Sequence, residues 1–393
     1  MRGLARYAMA EMMQRWAAST RHELAASDSE TWRVADLLAL ADMPDRALWD
    51  GLALGYTHPQ GAEALRSRIA ETYRGVSPGQ IIATAGAQEA IDLVFEALLG
   101  PEDHAVLVLP GYPPTEQALL QRCQVSGVAL DPSRGWALDP NAIAAAIRPN
   151  TRAIVVNFPN NPTGALLPPE AFAALVALCR ARGLWLINDE VYRLIDRNPH
   201  QRLPCVVEAY ERGVSIDAVS KSLGLPGLRI GWLACRDAGL VARVTAALHW
   251  RSLCPSAPSE ALAQIALGVR ELLLARNRAI ALANLAGIER FIAAHADRFS
   301  WVTPPGSVVG YVRYHGAEGV EAFAQHLAAD RGLLVFPASV WESRLVALPA
   351  DHFRIGFGRR DCLAALRSVA APVSDHAAFD QPLAAGQALD GEG

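Results

Sequence analysis

The sequence predicts an α/β protein built on a large, doubly wound, mainly parallel sheet of seven strands, with a second and smaller α+β domain. Two observations in the pattern carry this expectation. Between about residues 80 and 235, seven short β-branched, apolar runs alternate with longer Ala- and Leu-rich stretches. Beyond residue 258 the pattern changes to long helix followed by short strands. A third observation is size: 393 residues, 51% of them hydrophobic, can bury a core large enough for two compact units.

The elements follow in order. Residues 1–45 read as an N-terminal arm that joins the smaller domain, and 46–257 as the large domain. The strands of the large domain are "IIATAG" (81–86), "HAVLVLP" (104–110), "VSGVAL" (125–130), "RAIVVNFP" (152–159), "LWLINDE" (184–190), "VSIDAVS" (214–220) and "RIGWLAC" (229–235). Between them lie helix-like stretches such as "AQEAIDLVFEALL" and "PPEAFAALVALCRARG". Residues 258–371 form the small domain: a long helical run in two or more pieces, then "SWVTPPGSVVGYVRY", the helical "GVEAFAQHLAADRG", "LLVFPAS" and "FRIGFGR". The tail 372–393 has few large apolar residues and no period, which predicts disorder.

Bulk composition excludes several function classes. A formal net charge of -4 and a pI near 6.2 give no basic field for a nucleic-acid backbone. The six cysteines show neither a Cys-x-x-Cys pair nor metal-ligand spacing, so free thiols in a reducing compartment and no metal are expected. No apolar run approaches the ~18 residues of a membrane span, and the amphipathic N-terminus lacks a signal-peptide core, so a soluble, cytoplasmic protein is expected.

Lys221 is the single lysine of the chain; the other 35 of the 36 basic residues are arginines. The two residue types are near-equivalent on a solvated surface. Only the lysine amine can lose its proton and attack a carbonyl to form a Schiff base. Chance in an Arg-biased composition is the competing explanation, and the surroundings decide between them.

Those surroundings are strand ends, where ligands of this architecture gather. At "ATAGAQEA" a strand turns into a helix, so Gly86, Ala87 and Gln88 would offer free backbone N–H groups to an anion such as phosphate, or simply form a structural turn. In "NFPNNPTG" the flanking prolines fix the backbone of Asn161, aiming it at a ligand or into an Asx turn. "INDEVYR" sets Asp189 at the end of the most apolar strand, where a carboxylate could hold a protonated heteroaromatic nitrogen, with Tyr192 three residues on. Ser220 adjoins Lys221, and Arg229 opens the following strand with a fork suited to phosphate. Tyr56 precedes a helix start in "LGYTHPQGAEALR". Arg354 lies in the apolar strand "FRIGFGR", where burial demands a partner: a carboxylate ligand or a structural ion pair.

Together the string Y-x-x-P-x-G, "NNPTG", "DEVY", "SKS-x-G-x-PG-x-R-x-GW" and "RIGFG" resembles the class I/II aminotransferases, fold-type I pyridoxal-phosphate (PLP) enzymes, over roughly residues 45 to 370. The resemblance implies a homodimer with a shared active site, acting on an α-amino acid by Cα deprotonation, most commonly to pass its amino group to a 2-oxo acid. It implies that Lys221 carries the PLP as a Schiff base and moves the proton once released. Asp189 would pair with the pyridine nitrogen, and Asn161 and Tyr192 with the ring hydroxyl oxygen. Gly86, Ala87, Gln88, Ser220 and Arg229 would hold the phosphate, Tyr112 would stack on the ring, and Tyr56 would reach the neighbouring subunit's phosphate. Arg354 would clamp the substrate carboxylate, and a second acidic group would need another cation, with Arg21 and Arg251 as candidates.

Departures from the family pattern accompany the match. Ala218 stands where a phosphate-binding Ser is common, and Ala338 and Ser307 replace glycines in loops that line the substrate side in the family. These changes predict a reshaped pocket. The opening "MAEMMQRWAASTRHELAASDSETWRVADLLAL" is loosely similar to capreomycidine synthase-like enzymes, with an amphipathic helix leading to a polar, Ser-rich turn. That subgroup would divert the carbanion into elimination, replacement or cyclisation. A PLP-sensing regulatory domain is the remaining alternative, and it would need a DNA-binding module that the residues before the motifs do not resemble.

Overall fold

The computed structural model describes residues 7–370; the tail expected to be disordered lies outside them. Its strands, in chain order, are β1 (His22–Glu23), β2 (Ile81–Thr84), β3 (His104–Leu109), β4 (Gln124–Ala129), β5 (Thr151–Asn157), β6 (Trp185–Asp189), β7 (Gly213–Ala218), β8 (Gly231–Cys235), β9 (Phe299–Trp301), β10 (Val309–Tyr314), β11 (Leu333–Leu334), β12 (Phe336–Pro337) and β13 (His352–Gly356).

All seven apolar runs of the sequence become the strands of one sheet, in the order β2-β8-β7-β6-β5-β3-β4. Only β8 runs antiparallel to its neighbours; the other pairings are parallel. Both faces are buried, as a parallel sheet requires. Along β5, Ile154 and Val156 join one apolar cluster with the helix Pro169–Arg182, while Ala153 and Val155 join another with the helices Ala87–Leu98 and Ala238–His249.

The register collects chemistry at one edge. Asn157 pairs with Asp189, and Asp189 with Ile216, so the ends of β5, β6 and β7 lie side by side. Because β8 is reversed, its first residue, Gly231, sits between Thr84 and Ala218 at the same edge. The carboxyl ends of four strands and the entry to a fifth therefore share one rim.

The helical run after residue 258 is two helices, Ala257–Gly268 and Arg270–Ala294, broken at Val269. A four-stranded antiparallel sheet, β12-β13-β10-β9, packs against Gly319–Arg331 and Cys362–Ala370. Phe299, Phe323, Phe353, Ile355 and Leu366 form its core, with Tyr314 stacked on Phe323 at 4.1 Å. The arm crosses to this unit, where β1 pairs in parallel with β11 through His22 and Leu333.

The six cysteines are free, five of them buried. No helix among the described residues is long and apolar enough to cross a membrane.

Candidate functional site

A cleft of about 380 Å³ opens at the shared rim, and Lys221 lies in it. Of the residues singled out from the sequence, Ala87, Gln88, Tyr112, Asn161, Asp189, Tyr192, Ser220, Lys221, Arg229 and Arg354 all line it. Gly86 is the N-cap of the helix Ala87–Leu98 at a φ of 89°, and no side chain caps that helix. Its first backbone N–H groups are therefore open to an anion. A Cβ on Gly86 would collide with the guanidinium of Arg229, so the missing side chain makes room for that cation at the helix start.

Arg229 departs from expectation in its backbone. Rather than opening a strand, it occupies the left-handed region at φ 52° after the short turn Pro226–Leu228, and β8 begins two residues later. The chain bends at Arg229 and the strand starts at Gly231, which lies so close to the backbone of Gly86 and Ala87 that a Cβ there would clash. The bend leaves the guanidinium exposed at the cleft, donating to the carbonyls of Pro226 at 3.1 Å and Ala85 at 3.3 Å.

The "NFPNNPTG" turn divides its two asparagines between structure and site. Asn160 is buried and holds the loop: its Oδ1 accepts from the Thr163 backbone at 3.2 Å, and its Nδ2 donates to the Pro110 carbonyl at 3.0 Å. Asn161 instead faces the cleft and accepts from Arg354 Nη1 at 2.9 Å. Its own N–H donates to Asn157 Oδ1 at 2.9 Å, and Asn157 Nδ2 donates to the Asp189 carbonyl at 2.9 Å. A chain of polar contacts thus joins Arg354 to the strand end that carries Asp189.

The electrostatics bring acid and base toward neutrality. Burial pushes the Asp189 carboxyl up to about 7, opposed by the Val191 backbone N–H, raised further by Asp217 and lowered by Lys221. Burial pulls the Lys221 amine down to about 8, against the opposing pull of Asp28, and Arg354 lowers it further. A lysine in this range holds a usable fraction of nucleophilic free amine near neutral pH. Burial also raises the hydroxyls of Tyr112 and Tyr192, so both stay protonated donors. Tyr112 donates to Gln88 Oε1 at 3.0 Å, and Tyr192 to the Ser27 carbonyl at 2.8 Å.

Arg354 is 1% exposed, on β13. Burial lowers its basicity, yet no acidic side chain bonds to it. It donates to Asn161 and, at 2.5 Å, to the Ala25 carbonyl, and its guanidinium lies 5.2 Å from the ring centres of both Phe336 and Trp341. Its Nε has no acceptor. A buried cation that lines a cleft, lacks an acidic partner and keeps an orphaned donor is suited to an incoming carboxylate.

Other expected residues lie elsewhere. Tyr56 is 90% exposed and does not line the cleft. Arg251 is ion-paired with Asp92 and Glu96, and Arg21 packs beside Gly332; neither lines the cleft. The expectation that Ser307 and Ala338 reshape the pocket is corrected, because neither lines it. Ser307 adopts a glycine-like φ of 66° itself, and Ala338 is absorbed into the core of the small sheet.

The sequence reading missed the contribution of the arm. Glu23, Ser27 and Asp28 line the cleft together with Tyr7, Met9 and Met13 around the helix Ala8–Trp16. Arg359, also missed, binds both oxygens of Asp28 at 3.1 Å and Glu23 at 3.3 Å. The signal for Arg359 was its place directly after "FRIGFG"; the arm residues had no such marker, since only tertiary folding brings them to the rim.

The chain is 28% identical to capreomycidine synthase of Streptomyces vinaceus over 328 residues, 82% of this chain and 79% of that protein. Matches to several transaminases, at 31% to 36% identity, span only about half the length of those curated relatives. Among solved structures, a PLP-dependent aminotransferase from Streptococcus suis superposes with a TM-score of 0.86 at 26% identity, covering 94% of this chain and 97% of that one. The PLP-dependent cyclase OrfR superposes with a TM-score of 0.82 at 27% identity, covering 93% and 97%. The family model for aminotransferase class I and II matches residues 30–366, and with the lysine, acid and arginine of the cleft in their ordered motifs, the chain belongs to that family of enzymes.

Proposed function

We propose that the protein binds PLP at Lys221 and acts on an α-amino acid by removing its Cα proton, passing the amino group to a 2-oxo acid. The observation that carries this reading is the sole lysine of the chain, its amine lowered to about 8, in one cleft with a buried acid and a buried arginine that lacks an acidic partner.

The residues fit the cofactor. The open helix start at Gly86, Ala87 and Gln88, with Ser220 and Arg229, forms a donor set for a phosphate; the missing Cβ atoms of Gly86 and Gly231 make room there for the Arg229 guanidinium and the helix's own backbone. Asp189 would meet the pyridine nitrogen, Tyr112 the ring face, and Asn161 and Tyr192 the ring hydroxyl. When bound, PLP supplies an electron sink for charge at the substrate Cα. The chain does the rest. Arg354 uses two of its five N–H groups internally, leaving Nε and one hydrogen on each Nη for the α-carboxylate. That clamp fixes the substrate's orientation, and the Lys221 amine, once free, is the base within the cleft for the Cα proton.

A second reading keeps the same binding chemistry and diverts the carbanion into elimination, replacement or cyclisation. The long match to a capreomycidine synthase and the superposition on a PLP-dependent cyclase favour it. A homodimer fits both readings: Met43, Leu54, Tyr56 and Trp250 are each more than four-fifths exposed, apolar surface suited to a second copy.

The test is a spectral screen of the PLP-loaded protein against the proteinogenic amino acids, with product masses. Borohydride should trap PLP on Lys221. Stoichiometric conversion of PLP to pyridoxamine phosphate with release of a 2-oxo acid supports transfer; a mass loss or ring closure in the amino acid supports the second reading. Full activity in Lys221→Ala would end both.

A further inference from the structure

The polar turn Ala26–Glu30, conspicuous in the sequence, has no place in the reading above. In the fold it threads between the Lys221 loop and the end of β13. The fit is tight: a Cβ on Gly356 would strike the Ala26 carbonyl, and one on Gly358 the Asp28 carbonyl. The turn is pinned along its length. Gly356 N–H donates to Leu24 at 2.6 Å, Glu30 N–H to Gly358 at 2.8 Å, and Arg359 binds both oxygens of Asp28.

So fixed, the turn grips Lys221 at two points. The Ser29 N–H donates to the Lys221 carbonyl at 3.2 Å, and Lys221 Nζ donates to Ser27 Oγ at 2.8 Å. The Ser27 carbonyl meanwhile accepts from Tyr192. One residue of the arm thus contacts two side chains assigned to the reaction.

We propose that Ser27 is a positioning residue for Lys221, its hydroxyl holding the free amine at the cleft whenever that amine is not in covalent linkage. A lysine has four side-chain torsions, and a free Nζ in a cleft of this size can swing away from the reacting centre. The bond to Ser27 Oγ removes that freedom, and the clamping of Asp28 by Arg359 makes the hydroxyl a fixed point. The charged groups that face Nζ are Asp28, Asp189, Arg354 and Arg229, and Ser27 is the neutral contact among them. The inference rests on Lys221 being the Schiff-base residue, and its test separates the two.

The single lysine makes the measurement direct: full-length, cofactor-free protein grown with lysine labelled with carbon-13 at Cε gives one lysine resonance. In Ser27→Ala the ammonium loses a buried acceptor, so its titration midpoint should fall by about half a unit or more, while Ser27→Thr keeps the wild-type midpoint. Capture of added PLP as a borohydride-reducible adduct should slow by about 10-fold in Ser27→Ala and recover to within about 3-fold in Ser27→Thr. An unchanged or raised midpoint in Ser27→Ala, or a threonine variant behaving like the alanine one, overturns the proposal. Adduct formation that persists in Lys221→Ala would instead overturn the assignment of the lysine.

Discussion

Arg354 Nη1 donates to Asn161 Oδ1 at 2.9 Å, joining residues 193 apart in sequence. Each stands in its own motif and each is proposed to meet a ligand, one the substrate carboxylate and the other the cofactor ring. In the fold they are one unit, and the arginine is held by an amide and a carbonyl rather than by an acid. The guanidinium therefore keeps its full charge for a ligand. Arg354→Lys should lower kcat/KM by about 100-fold or more, because a point charge cannot reproduce the planar fork. A double-mutant cycle with Asn161→Ala, read from kcat/KM, should show a coupling of about 1 kcal/mol or more.

The elevated Asp189 sets a pH dependence for the cofactor-free protein. Its carboxyl titrates near 3.8 when unfolded and at about 7 when folded. Between these values the folded state binds the extra proton, so stability is present at low pH and is lost as pH rises through this window. Asp189→Asn should therefore raise the unfolding free energy at pH 8 by about 1 kcal/mol or more and change it little at pH 4. In the PLP-loaded enzyme the same substitution should lower kcat at least about 1,000-fold, since an amide cannot hold the ring nitrogen protonated. Denaturant melts at the two pH values and steady-state kinetics check both halves.

Lys221 shifts in the opposite sense, from 10.5 to about 8. Between those values the unfolded chain carries the proton and the folded one does not, so stability rises with pH across the window and the penalty is complete below pH 8. The rate at which the cofactor-free protein captures PLP should follow free amine, rising with a midpoint near pH 8. A midpoint above 10 in a stopped-flow pH series would mean that the lysine is solvated.

The cleft offers no spare cation for a second acidic group. Among the described residues that line it, Arg354 would serve one carboxylate, Arg359 is already paired with Asp28 and Glu23, and Arg229 lies at the helix start proposed for the phosphate. L-Aspartate and L-glutamate should therefore show kcat/KM at least about 10-fold below that of L-alanine, because a buried, unpaired carboxylate is costly. Competition kinetics with the three amino acids measures the difference.

Much of the fold was legible in the sequence. Period and composition located the seven strands of the large sheet, because a sheet buried on both faces demands unbroken β-branched, apolar runs. The same reading placed Arg229 inside a strand, since nothing in a local pattern reveals that the chain bends there and that the strand starts only at Gly231, against the backbone of Ala87. It also assigned Ser307 and Ala338 to the pocket from their likeness to a glycine pattern, whereas Ala338 packs into the core of the small sheet and neither residue lines the cleft.

What the sequence alone determined is the set of residue types at the candidate site: one lysine among 35 arginines, an acid at a strand end, an amide held by prolines and an arginine in an apolar strand. Each is marked by a residue type that its local setting makes costly or unusual. What only the tertiary structure decided is who holds these groups. Ser27 and Asp28 lie almost 200 residues from Lys221, in a turn with no strand or helix of its own. Ser27 reaches the amine, and Asp28 is held beside it by Arg359, where two glycines of the chain after Arg354, Gly356 and Gly358, lack the side chains that would keep the turn away. Contact made across such a distance depends on packing, and packing is a property of the whole fold.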